Sequence, residues 1–100
     1  MILSPVRSAG TGTGGASFVK RSLIGVQNGI NTVFTTPEDF TRVTGLEEEL
    51  YVNGVGPLLE GVGNDYVASE SGGVGTGFDT ITIAFAPLGI DNLLIKYIQA

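Results

Sequence analysis

One hundred residues with ten acidic and five basic side chains, a formal net charge of −5, and neither Cys nor His make one domain that can bury a modest core. The missing residue types exclude disulfide frameworks, thiol nucleophiles, zinc sites of the usual ligand sets and imidazole acid/base chemistry. Sixteen Gly and a Val, Ile, Thr, Phe and Tyr content suited to strands point to a turn-rich all-β chain.

Charge is unevenly placed. Up to Pro37 the only charged residues are Arg7, Lys20 and Arg21; from Glu38 onward all ten acids face only Arg42 and Lys96, so the two parts carry +3 and −8. An acidic body disfavours nucleic acid, whose phosphates need a basic surface. No window approaches the roughly 20 apolar residues of a membrane-spanning helix, and MILSPVRSAG has no apolar run of signal-peptide length. The expectation is a chain with no visible export signal, no membrane or nucleic-acid partner, no cofactor, no metal and no small-molecule substrate.

Residues 1–17 hold Pro5, Gly10, Gly12, Gly14 and Gly15 with no sustained periodicity, which predicts an extended N-terminal arm ahead of a domain over 18–100. Ile2, Leu3, Val6 and, further on, Phe18 are apolar anchors that a purely solubilising tail does not need. They make the arm, with the basic Arg7, Lys20 and Arg21, a candidate for contact with a neighbouring subunit. TGTGG within it lacks the GK[ST] ending of a phosphate loop.

Ser17 to Val26 reads as strand, Asn28-Gly29 as a turn and Thr32 to Thr35 as a second strand, together a hairpin that Pro37 ends. Thr36, Pro37, Glu38 and Asp39 then have the order of a helix start, which predicts one helical turn through Arg42 before Gly45. Glu47 to Glu49 reads as a solvated strand entry. In the strand that follows, Leu50 and Val52 face one side and Glu49, Tyr51 and Asn53 the other. Asn53-Gly54 has tight-turn chemistry, but Gly56-Pro57, Gly61 and Gly63 predict a broad loop with Leu58 and Leu59 at its apolar centre rather than a two-residue hairpin.

Asp65 to Ser69 reads as a short strand with Tyr66 and Ala68 opposite Val67. Ser71 to Gly77, SGGVGTG, reads as the most flexible internal loop. FDTITIAF over Phe78 to Phe85 alternates cleanly and assigns Ile81, Ile83 and Phe85 to the core. The last strand, Asp91 to Ile98, sets Leu93, Ile95 and Tyr97 against Leu94, Lys96 and Ile98. Apolar residues on both faces predict cover from the core and from a second subunit. The sum is an all-β, small antiparallel β-sandwich of about six or seven strands.

The succession NGINTVFTTP, ELYVNGV, DYVAS and DTITIAFAPLGIDNLLIKY resembles a small β-sandwich module of tailed-bacteriophage virion proteins, of the tail, neck and fibre-attachment type, over Gln27 to Tyr97. In that pattern Phe34, Tyr51, Tyr66 and Phe85 are large core side chains, and none of the matching positions is catalytic. The chain departs from it in a longer loop over Val55 to Asn64 and a Gly-rich excursion over Glu70 to Gly77.

The resemblance implies a structural subunit of the virion, made in the host cytoplasm, whose partners are copies of itself and other virion proteins. It would assemble in multiple copies at the neck or tail through its N-terminal arm and strand edges. The contact candidates are then Ile2, Leu3, Val6, Arg7, Phe18 and Lys20 in and beside the arm, with Arg21, Leu58, Leu59, Leu94 and Ile98 on the body. A head-decorating subunit is the alternative within this class, and a carbohydrate- or receptor-binding module the alternative outside it. No carboxylate pair, Lys or Ser sits in a spacing diagnostic of an enzyme.

Overall fold

The computed structural model describes residues 17–100, which form an all-β domain of six antiparallel strands. In chain order these are β1 (Val19–Ser22), β2 (Val33–Thr41), β3 (Glu49–Val52), β4 (Tyr66–Ser69), β5 (Phe78–Ile83) and β6 (Leu93–Gln99). The contact candidates Ile2, Leu3, Val6 and Arg7, and the arm to which they belong, lie outside the described residues.

All six strands belong to one hydrogen-bonded sheet, where a sandwich implies two separate ones. Its centre is β6, whose alternation leaves no doubt about which side faces inward: Leu93, Ile95 and Tyr97 are buried, Leu94, Lys96 and Ile98 half-buried. β1 lies along one edge of β6, with Val19 opposite Tyr97, and β3 along the other, with Leu50 opposite Ile95. A second group, β2-β5-β4, pairs Phe34 with Ile81 and Tyr66 with Ile83. The two groups join where Phe40 and Thr41 of β2 meet Gln99 and Ile98 of β6. The inward side chains of both form a single core.

β2 overturns two expectations. Pro37 does not end the strand, and no helical turn follows; the strand runs through Pro37 to Thr41. Proline's missing N–H is tolerated because the register against β5 shifts between Thr35 and Phe40, leaving Pro37 outside the ladder. Continued alternation from Phe34 through Thr36 and Glu38 sets Phe40 inward, where it is fully buried, stacked on Tyr97 at 5.1 Å between ring centroids and 5.8 Å from Phe78. The main core aromatics are thus Phe34, Phe40, Tyr66 and Tyr97. Tyr51 is only half-buried on the outer face, and Phe85 stays 42% exposed, because the chain leaves the sheet after Ile83.

The Asn53-Gly54 turn is tighter than the loop reading predicts. Asn53 and Gly54 both adopt positive φ, 53° and 79°, and Val52 and Val55 exchange backbone hydrogen bonds of 3.0 and 2.9 Å across them. The hairpin stops there, since the next cross-link is Leu58 N donating to Leu50 O. Leu58 packs against the core, while Leu59 remains exposed.

Candidate functional site

Three carboxylate clusters account for the polar side chains nearest the core. Glu48, the middle of the acidic run, is buried rather than solvated: its carboxylate accepts from Arg42 Nε at 2.6 Å and from the Tyr66 hydroxyl at 2.7 Å. Arg42 also donates to Glu60 Oε1 at 3.3 Å, and Glu60 Oε2 accepts the Ala68 N–H at 3.1 Å. Burial, and after it the hydrogen bond to Glu48, pushes the Tyr66 hydroxyl far above its ordinary pKa. Around Glu38, Tyr97 donates at 2.5 Å and Arg21 Nε at 3.0 Å. The Tyr97 hydrogen bond, ahead of Arg21, holds Glu38 below the usual carboxylate range.

The third cluster braces the Gly-rich loop between β4 and β5, which the sequence presents as loose. Glu70 accepts the N–H groups of Gly75 and Gly77, and Asp79 accepts the Ser71 N–H at 2.9 Å and its hydroxyl. The Ser71 bonds lower the Asp79 pKa. In each cluster the carboxylates accept from donors of their own chain and so tie distant segments together. Among the described residues no group of three or more carboxylates could hold a metal ion.

The surface tells a different story at the loop β1–β2 and the loop β5–β6. The Gln27 side chain donates to Leu88 O at 2.9 Å and to Asp91 O at 2.7 Å, and Gly29 N donates to Pro87 O at 2.9 Å, so the two loops form one hydrogen-bonded unit. Asn28 Oδ1 caps the N–H groups of Ile30 and Asn31, and Asp91 Oδ2 caps that of Leu88, which fixes each turn from within. A Cβ on Gly29 would lie 2.9 Å from Leu88 Cδ2, a measure of how closely they approach.

With the backbone satisfied internally, the apolar side chains point out. Ile24, Val26, Ile30 and Val33 are exposed from the first loop and its strand ends, and Phe85, Leu88 and Ile90 from the second; Ile30 and Ile90 stand 82% and 88% exposed. Half of the fourteen exposed large apolar side chains among the described residues therefore belong to this one tip. No charged residue occurs between Arg21 and Glu38 or between Asp79 and Asp91. Asp91 itself is hydrogen-bonded to Asn53 and to Leu88 N, and these bonds lower its pKa. Beside the tip lies an open hollow of about 290 Å³ lined by Asn64, Tyr66, Val67, Thr82, Ile83 and Ala84, among others. An uncharged, pre-shaped apolar surface on an acidic protein has the chemistry of an interface core.

The contact candidates read from sequence on the body do not converge on this tip. Arg21 is held by Glu38; Lys20 is exposed on β1 opposite Lys96, which pairs with Glu49 at 3.5 Å; Phe18 precedes β1 and is 37% exposed. Leu94 and Ile98 are half-buried on the outer face of β6. Two strand edges are also closed. Leu58 N and Val55 take up the outward groups of β3, while Leu59 O, Gly61 N and Glu60 take up those of Tyr66 and the Ala68 N–H on β4. Sequence reasoning missed the tip because its apolar residues stand singly among turn residues. The two uncharged stretches were the available signal.

No family model, curated protein or solved structure matches the chain.

Proposed function

We propose that this chain is a structural subunit that works by adhesion, packing in multiple copies against itself and against other proteins, as a neck or tail component of a tailed-phage virion would. The observation that carries the adhesive part is the tip: seven exposed large apolar side chains on two cross-linked loops with no charge among them. Scattered exposed apolar residues need no explanation, but seven on two hydrogen-bonded loops and their strand ends, in a protein of net charge −5, are costly unless they are covered. The virion assignment rests on the order of the turn and strand segments from Gln27 to Tyr97.

A head-decorating subunit uses the same adhesion but needs a preformed shell. The sugar-binding alternative loses its strongest aromatic, since Tyr97 is buried in the core and Tyr51 is tied to Glu49. Light scattering of the purified full chain, with negative-stain images of the same sample, tests the reading. A ring, stack or defined oligomer is the expected result; a monomer at every concentration removes self-assembly from the proposal and leaves binding to isolated capsid shells as the test of head decoration.

A further inference from the structure

We propose that the tip made by the loops β1–β2 and β5–β6 is the contact between two copies of this chain, which meet tip to tip; the inference rests on the multi-copy reading above. Charge limits where two acidic bodies can meet. Each copy carries ten acidic side chains and a net charge of −5, so an approach through the body sets like charges against each other. The tip is where this repulsion is least. Residues 22–37 and 80–90 hold no charge at all, and Asp91, at the margin, is engaged by Asn53 and the Leu88 N–H.

The remaining routes are narrower. Backbone pairing between copies through β3 or β4 is blocked by the chain's own loop, as described above. On β1, which pairs with β6 alone among the described strands, Lys20 and Arg21 stand in adjacent positions and the Arg21 guanidinium donates to Lys20 O. The tip, by contrast, is assembled before contact: the Gln27, Asn28 and Asp91 hydrogen bonds already hold both turns, so association orders little backbone. Ile30 and Ile90 project from it, and the hollow lined by Tyr66, Thr82 and Ala84 offers a recess next to it. An isologous pair would turn the projections of each copy toward the recess of the other.

The test uses the full chain. Ile30→Asp combined with Ile90→Asp places two charges in the proposed contact and should weaken self-association about 100-fold, as truncating or charging the centre of an interface does. Val74→Asp, on the opposite loop where the side chain is 100% exposed, should leave association unchanged. The cysteine-free sequence permits a second readout: Ile30→Cys should be joined to its copy by a short bis-maleimide, and Val74→Cys should not. Unchanged association in the double Asp variant, or equal cross-linking at both positions, overturns the tip contact while the multi-copy reading stands. A monomer in every sample overturns both.

Discussion

The two ends of this small domain solve the loop problem in opposite ways. At the tip, two loops are closed mainly by neutral donors and acceptors, Gln27, Asn28 and Pro87 O, with Asp91 as the one carboxylate at the margin, and the apolar side chains are left outside. At the other end, the loop between β2 and β3 and the loop between β4 and β5 are closed by carboxylates: Glu48 on Arg42, Glu47 on Gly45 N, Glu70 on Gly75 and Gly77 N, Asp79 on Ser71. Charge spent on bracing one end keeps it soluble and self-sufficient. Its scarcity at the other leaves a surface that gains by being covered. Stability should therefore reside in the core and the carboxylate end, and association in the tip.

The largest effect should come from the core beneath the carboxylate end. Phe40→Ala removes a fully buried ring stacked on Tyr97 and should cost about 3–5 kcal/mol in urea unfolding. Glu48→Ala leaves the Tyr66 hydroxyl without its acceptor and Arg42 with Glu60 alone, and should cost about 2–3 kcal/mol, whereas Glu48→Gln keeps an acceptor for Tyr66 and should cost less. Equal losses for the two Glu48 variants would show that the ion pair, not the tyrosine bond, dominates.

pH acts on both ends, and more gently. The folded pKa values of Glu38, Asp79 and Asp91 lie below their ordinary values. Their contribution is present above the unfolded carboxylate range near pH 4 and is lost as pH falls through the lower folded values. Tyr97 runs the other way. Burial, then its bond to Glu38, pushes it up to about 12, so its contribution holds below its ordinary 10.0 and is lost as pH rises through that range. Stability measured against pH should fall on both sides of a plateau. Tyr97→Phe should cost about 1–2 kcal/mol at neutral pH and move the Glu38 carboxyl resonance titration upward. An unmoved Glu38 titration would assign its depression to Arg21 alone.

Where alternation continued through a paired strand, the sequence was legible: Tyr66/Ala68, Ile81/Ile83 and Leu93/Ile95/Tyr97 fall on the core side as their period-two spacing dictates. It failed where a non-local contact set the outcome. Pro37-Glu38-Asp39 has helix-start chemistry, and only pairing with β5 and β6 turns it into a bulged strand that buries Phe40. Phe85 continues the alternation of β5 in sequence, but the strand ends at Ile83 and the ring ends up outside. Glu48 looks like one charge among three; its burial depends on Arg42 and Tyr66 arriving from distant positions. Of the contact residues read from the sequence, Leu94 and Ile98 lie half-buried on the outer face of β6 and away from the tip.

The smallest stability effect sharpens the comparison most. Ile30→Asp and Val74→Asp both alter side chains that are almost wholly in solvent, 82% and 100% exposed, so each should change unfolding free energy by no more than about 0.5 kcal/mol. Thermal melts at low protein concentration, where any oligomer is dissociated, measure that directly. Raising the concentration should then separate them: mass action adds stability to a folded oligomer, so the melting temperature of the unmodified chain and of Val74→Asp should climb while that of Ile30→Asp stays flat. A parallel climb in all three would place the association elsewhere than the tip. A loss of stability in dilute Ile30→Asp would mean that the tip's apolar side chains support the fold itself, and the division of labour between the two ends would fail.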